Sequence, residues 1–229
     1  MAIEPVLPHC SFFNINRFSF KIKNKSVEYI TSFLLGPDLE LRTDENGIIT
    51  GIFFQDFEMK RFFGLYPELL LVDATYKLTN LRMPLYILLL VEPNGESEIA
   101  AIFLTASEDC VSLSTMFEIF KEKNINWNKI LSVFTDKDMA ERECIKHAFP
   151  QINLLLCIFH VLRSMSREIT TSKMNISEAQ RLIALKALQK MTYATTEKEY
   201  EMLRDEFHKV MPPSVIKYVE VNWHACRFE

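Results

Sequence analysis

Three apolar runs of strand length follow one another closely: ELLLVDATYK at 68–77, PLYILLLVEP at 84–93 and SEIAAIFLTAS at 97–107. Between the second and third stands Asn94-Gly95, the residue pair that best accommodates the positive φ angles of a tight hairpin turn. The period then changes. In LSTMFEIFKEK, at 113–123, Leu113, Met116, Phe117 and Phe120 share one helical face. KILSVFTD (129–136) predicts a fourth strand, DMAERECIKHAF (138–149) a helix and INLLLCIF (152–159) a fifth strand. Helices are predicted from about residue 163, over 177–191 and over 197–210; Pro212-Pro213 interrupts, and 214–228 resumes. The order β-β-β-α-β-α-β, with helices after it, requires a mixed sheet covered by helices. A flavodoxin-like sheet would alternate strand and helix from the start, and the hairpin at Asn94-Gly95 argues against it. The order is that of the ribonuclease H-like fold.

Upstream patterns are shorter. RFSFKIK (17–23) alternates as an edge strand, with its lysines turned to water, and SVEYITSFLL (26–35) predicts a helix ending at Gly36-Pro37. Residues 39–54 predict a hairpin turning at Asn46-Gly47, and 56–66 a helical turn or two. The chain thus divides into a small α+β N-terminal extension (1–66), a five-stranded mixed α/β domain (67–168) and a helical C-terminal segment (169–229).

Composition limits the function classes. The chain has 229 residues, 48% of them apolar, enough to bury one large core or somewhat more. With 18 Phe and only 5 Gly it is not a low-complexity chain. A net charge of −4 counts against a domain that lives on non-specific phosphate contacts. Five cysteines, at 10, 110, 144, 157 and 226, show no framework spacing and suit a reducing cytosolic or nuclear compartment. The N-terminus lacks a signal-peptide pattern and the apolar runs are too short to span a bilayer, so a soluble protein without a membrane partner is expected.

Two predicted strands end in acid: Asp73 after LLLV and Asp136 after SVFT. A carboxylate in apolar surroundings must be hydrated, paired, hydrogen-bonded or bound to a metal. Chemistry in α/β sheets gathers at the carboxyl ends of strands. If the first and fourth strands of the domain are parallel neighbours, these acids converge, and magnesium is the natural hard cation between them. The local alternative is equally concrete. Asp138 and Glu141 have capping-box spacing, so Asp136 could shape the turn into a helix and Asp73 could accept from backbone or from Thr75.

Further signals stand in order along the same stretch: Asp73-Ala-Thr75-Tyr76-Lys77, Met83-Pro84-Leu85, Thr135-Asp136-Lys137-Asp138, Phe149-Pro150 and Cys157-x-x-His160. On these, residues from about 38 to 168 resemble the transposase domain of Mutator-like elements. They resemble more closely its domesticated relatives, the zinc finger SWIM domain-containing proteins one and three. The resemblance implies a ribonuclease H-like fold with Asp73 and Asp136 as metal-binding acids of a DDE site for magnesium. It makes the helices from 163 onwards the family's helical insertion and Glu220 the nearest candidate for the third acid. It also places His160 near the catalytic centre, where it could meet a phosphate. By their position in the sequence Lys77 and Arg163 are the basic residues best placed to approach a phosphate, with an ordinary surface role as the alternative for each.

The family's SWIM zinc motif needs Cys-x-Cys followed by Cys-x-His, and this chain contains no Cys-x-Cys, so that zinc site is not expected here and a shortened form is. Cys157 and His160 supply half a tetrahedral zinc set at most; the local description makes Cys157 a small buried residue and His160 a cap. Trp127 and Trp223 are expected as packing anchors. The function implied is a transposase-derived, non-catalytic interaction domain of a nuclear regulatory protein, or one in the cytoplasm, with a protein or DNA as partner. The alternatives are an active DDE phosphoryl-transfer enzyme and a DNA-binding module that does not cut.

Overall fold

A computed structural model describes residues 38–75 and 83–226, and these divide into two compact units between Leu155 and Leu156. The strand expected over 17–23, the helix over 26–35, and Lys77 lie outside the described residues.

The first unit is built on strands β1 (Asp38–Thr43), β2 (Ile49–Gln55), β3 (Leu69–Thr75), β4 (Leu85–Val91), β5 (Ser97–Thr105), β6 (Ser132–Thr135) and β7 (Asn153–Leu156). They form one mixed sheet in the order β1-β2-β5-β4-β3-β6-β7. Both hairpin turns form where Asn-Gly predicts them, with Gly47 at φ 74 and Gly95 at φ 84, angles at which a Cβ would be strained. The sheet has seven strands rather than the five expected. The first hairpin does not stand apart as an extension: β2 pairs antiparallel with β5 through Ile52–Leu104 and Phe53–Phe103. The reason is burial. From Gly51 to Gln55 every residue of β2 is buried, and such a strand cannot be left with one side unpaired.

Helices α1 (Phe57–Leu65), α2 (Cys110–Lys123) and α3 (Met139–Ala148) complete this unit. Each starts at an aspartate whose side chain accepts a backbone N–H of the first turn: Asp56, Asp109 and Asp138. The helical face read from the sequence is the buried one. Leu113, Met116, Phe117 and Phe120 join Leu70, Val72, Leu88 and Phe103 in a single apolar cluster. Gly51 allows the close approach of α2: a Cβ there would stand 2.0 Å from the terminal methyl of Met116. A buried amide pair ties α2 to β2, since Gln55 Nε2 donates to Asn124 Oδ1 at 3.0 Å and Asn124 Nδ2 donates to Gln55 Oε1 at 2.9 Å. Trp127 packs against the cluster as an anchor, with the Lys121 ammonium 4.8 Å from its ring and 4.9 Å from that of Phe149.

The second unit holds α4 (Ile158–Glu168), α5 (Thr171–Met174), α6 (Glu178–Thr192), α7 (Glu197–Val210) and α8 (Pro213–Asn222). They bury Met165, Ile169, Leu188, Phe207, Val215, Val219 and Trp223 together, which makes Trp223 the second packing anchor. One boundary differs from the sequence expectation. The fifth apolar run does not stay extended to 159; β7 stops at Leu156 and α4 begins at Ile158, leaving Ile158 and Phe159 exposed on its first turn. A short continuous apolar run has no period of its own to mark where strand gives way to helix. No described helix is long and apolar enough to cross a membrane.

No cysteine pairing is legible in the spacing, but the structure joins Cys110, the first residue of α2, to Cys144 in the middle of α3 by a disulfide.

Candidate acidic site

Strands β3 and β6 are parallel neighbours, with Leu69 opposite Ser132, Leu70 opposite Val133 and Leu71 opposite Phe134. Carried on by two residues (73 − 71 = 136 − 134 = 2), one position past the end of β6 at Thr135, this register would bring Asp136 opposite Asp73. Side chains alternate along a strand, so Asp73 shares the sheet face of Leu71 and not that of buried Leu70 and Val72. Both acids are half-buried, within reach of water at the rim.

Asp136 also has a local task. Its Oδ1 accepts the backbone N–H of Asp138 at 2.8 Å. Asp138 in turn accepts the N–H groups of Ala140 and Glu141, each at 3.0 Å, and so caps α3. The capping box expected from Asp138 and Glu141 is therefore half made: the N-cap backbone N–H that it would direct to Glu141 goes to Asp136 instead. Behind the turn, buried Arg142 reaches the carbonyl of Leu154 at 3.3 Å, holding α3 to β7.

The other residues singled out from the sequence have contacts of their own. Glu220, on α8 of the second unit, is bound by Arg204 through two contacts, Nε to Oε1 at 2.8 Å and Nη2 to Oε2 at 2.7 Å. His208 Nε2 stands 2.8 Å from the same Oε1. The Arg204 hydrogen bonds and charge, with His208 beside them, outweigh burial and hold the Glu220 carboxyl down to about 2. Arg204 also reaches Glu201 at 3.0 Å. Such a carboxylate is an internal clamp between α7 and α8.

His160 lies on the first turn of α4, three residues after Cys157 at the N-cap. Burial alone would raise the Cys157 thiol, but hydrogen bonds from the His160 ring and from the backbone N–H groups of His160 and Phe159 win and lower it. The Arg163 guanidinium lies 5.8 Å from the ring centroid of Phe159. Among the described residues no group of three or more His, Cys, Asp or Glu side chains is arranged to hold a metal. Asp73 and Asp136 are two candidate donors, and magnesium commonly takes one or two carboxylates with water or substrate oxygens completing six.

Sequence reasoning missed the partners of Glu220. Arg204 and His208 stand four residues apart on α7, a spacing that puts both on one helix face. That they face Glu220 depends on how α7 and α8 pack.

Known proteins bear on this arrangement. The family described as "Zinc finger SWIM domain-containing protein 1/3, RNaseH-like domain" matches residues 36–155, which is 155 − 36 + 1 = 120 of the 229 residues. Among solved structures, the HTLV-2 integrase catalytic core domain, in complex with magnesium in its dimeric form, is similar at 10% identity over 57% of this chain and 89% of its own, with a TM-score of 0.26. At that score the two backbones do not support a residue-by-residue correspondence.

Proposed function

The chain belongs to the family of zinc finger SWIM domain-containing protein 1/3 ribonuclease H-like domains, and from that premise we propose that it is a transposase-derived domain kept for binding a protein partner in the nucleus, without cutting DNA. The observation that supports this most is the state of Glu220, the candidate third acid, whose two oxygens are taken up by Arg204 and His208. A carboxylate bound in this way would have to give up a bidentate guanidinium contact before it could ligate a metal. Asp136, likewise, spends one oxygen on the turn into α3.

A second reading rests on the register of β3 and β6. Under it, Asp73 and Asp136 would hold a divalent cation, which would supply Lewis-acid activation of water or of a phosphodiester oxygen. The acids themselves would position the ion at the sheet rim, half shielded from water, which strengthens their attraction for it.

One comparison separates the two. Thermal melting of the wild type and of Asp73→Asn/Asp136→Asn is followed with and without millimolar Mg²⁺ or Mn²⁺, alongside cleavage of end-labelled DNA. The interaction reading expects no metal-dependent rise in Tm and no cleavage that depends on the two acids. A rise in Tm confined to the wild type, with acid-dependent cutting, overturns it in favour of the enzyme. DNA retention without cutting, falling steeply with salt, would instead make DNA the partner.

A further inference from the structure

The Cys110–Cys144 pair is left unused by either reading, and its two sulfurs are placed very differently. Cys110 is exposed at the first position of α2, a helix of 14 residues, with Ser114 Oγ 3.8 Å from its sulfur. Cys144 is 2% exposed, on α3, inside the main apolar cluster. Their Cα atoms are 5.4 Å apart across 34 residues of chain, within the usual span for a disulfide. We propose that Cys110 is a thiol–disulfide exchange site for a small thiol of the glutathione class, with Cys144 as its resolving partner.

The asymmetry sets the chemistry. An incoming thiolate can reach only the exposed sulfur, so in reduction it attacks Cys110 Sγ. The Cys110–Cys144 bond breaks, and Cys144 leaves with the electron pair and takes up a proton. A second small thiol attacks its fellow sulfur in the mixed disulfide, releasing Cys110 as thiolate and a small-molecule disulfide. Two small thiols are oxidised and one protein disulfide becomes two protein thiols, so electrons and protons balance. The reverse begins at Cys110, the exposed sulfur that a small-molecule disulfide can reach.

Neither form is structurally excluded. As a thiol, Cys144 is a small apolar residue already at home among Ile145, Phe117 and Phe149. Cys110 as a thiol faces water. What changes is the tether between α2 and α3, and α3 begins at the Asp138 cap whose backbone N–H is held by Asp136. The exchange therefore acts on the stretch that carries one of the two rim acids.

The test equilibrates the full chain in glutathione buffers of graded reduced-to-oxidised ratio, traps free thiols with N-ethylmaleimide, and maps the labelled peptides so that Cys10, Cys157 and Cys226 are scored separately. Cys110 and Cys144 should change label together within the glutathione range. Cys144→Ala should accumulate a glutathione adduct on Cys110, and Cys110→Ser should leave Cys144 without one. Amide exchange over 136–144 should be roughly tenfold faster in the reduced protein. The proposal fails if both thiols stay free even in pure oxidised glutathione, or if the bond survives excess reduced glutathione in the folded protein. It fails equally if the adduct forms on Cys144 when Cys110 is absent, or if exchange over 136–144 is the same in both states.

Discussion

Asp138 donates its backbone N–H to Asp136 at 2.8 Å, so the acid that directly follows β6 is also the acceptor that opens α3. One side chain thus serves a turn and stands at the sheet rim, and the two roles separate by mutation.

Asp136→Ala should cost about 1 kcal/mol, the usual worth of an acceptor at a helix start. Asp136→Asn keeps an oxygen for the Asp138 N–H and should cost less, within about 0.5 kcal/mol of the wild type. Urea titrations of the two variants check the difference; equal losses would show that the turn does not need the acceptor.

The Glu220 clamp predicts a pH dependence of definite sign. Its carboxyl is depressed from 4.5 to about 2 in the folded protein. The stabilisation is present above the unfolded value and is lost as pH falls from about 4.5 to 2. Because the pair is partly open to solvent, the contribution is about 1–2 kcal/mol and not the full linkage value. Glu220→Gln should lower stability at pH 7 by that amount and flatten the fall between pH 4.5 and 2, measured by denaturant unfolding at each pH. An unchanged acid limb would remove the clamp's energetic role.

Gln55 and Asn124 are 0% and 5% exposed and bonded to each other. Gln55→Ala should destabilise by about 2–3 kcal/mol, because it takes the Gln55 donor from buried Asn124 Oδ1, while Asn124 Nδ2 keeps the Phe120 carbonyl, and opens a small cavity. The double change Gln55→Leu/Asn124→Leu should be less harmful than the sum of the two singles. A double-mutant cycle read from denaturation midpoints tests this; strict additivity would mean that the amides do not act as a pair.

Gly51→Ala brings a methyl against the terminal methyl of Met116. Met is flexible and can swing aside, so the cost should be modest, about 1–2 kcal/mol. In a Met116→Ala background the same glycine change should cost close to nothing. A loss of equal size in both backgrounds would place the clash elsewhere.

Part of the candidate site is legible in the sequence alone. Asp73 and Asp136 stand out because an acid ends an otherwise apolar run, and Asp138 reads as a cap from its place before a helical period. Glu220 is singled out by the family resemblance, but its role is not legible: nothing near it in sequence announces Arg204, sixteen residues earlier on a different helix. The Cys110–Cys144 bond is hidden for the same reason, since scattered cysteines carry no mark of which pair will meet.

The sequence by itself determined the order of strands and helices from β1 to β7, the helical character of the chain after it, the two Asn-Gly turns and the buried face of α2. Each of these depends on residues within a turn or two of one another, where period and backbone preference act directly. Only the tertiary structure decided that the first hairpin extends the sheet to seven strands, that β3 lies parallel to β6, and that Glu220 is clamped by α7. Those outcomes depend on which surfaces bury most area with their polar groups satisfied, and that is a property of the whole packed chain, which no local window contains.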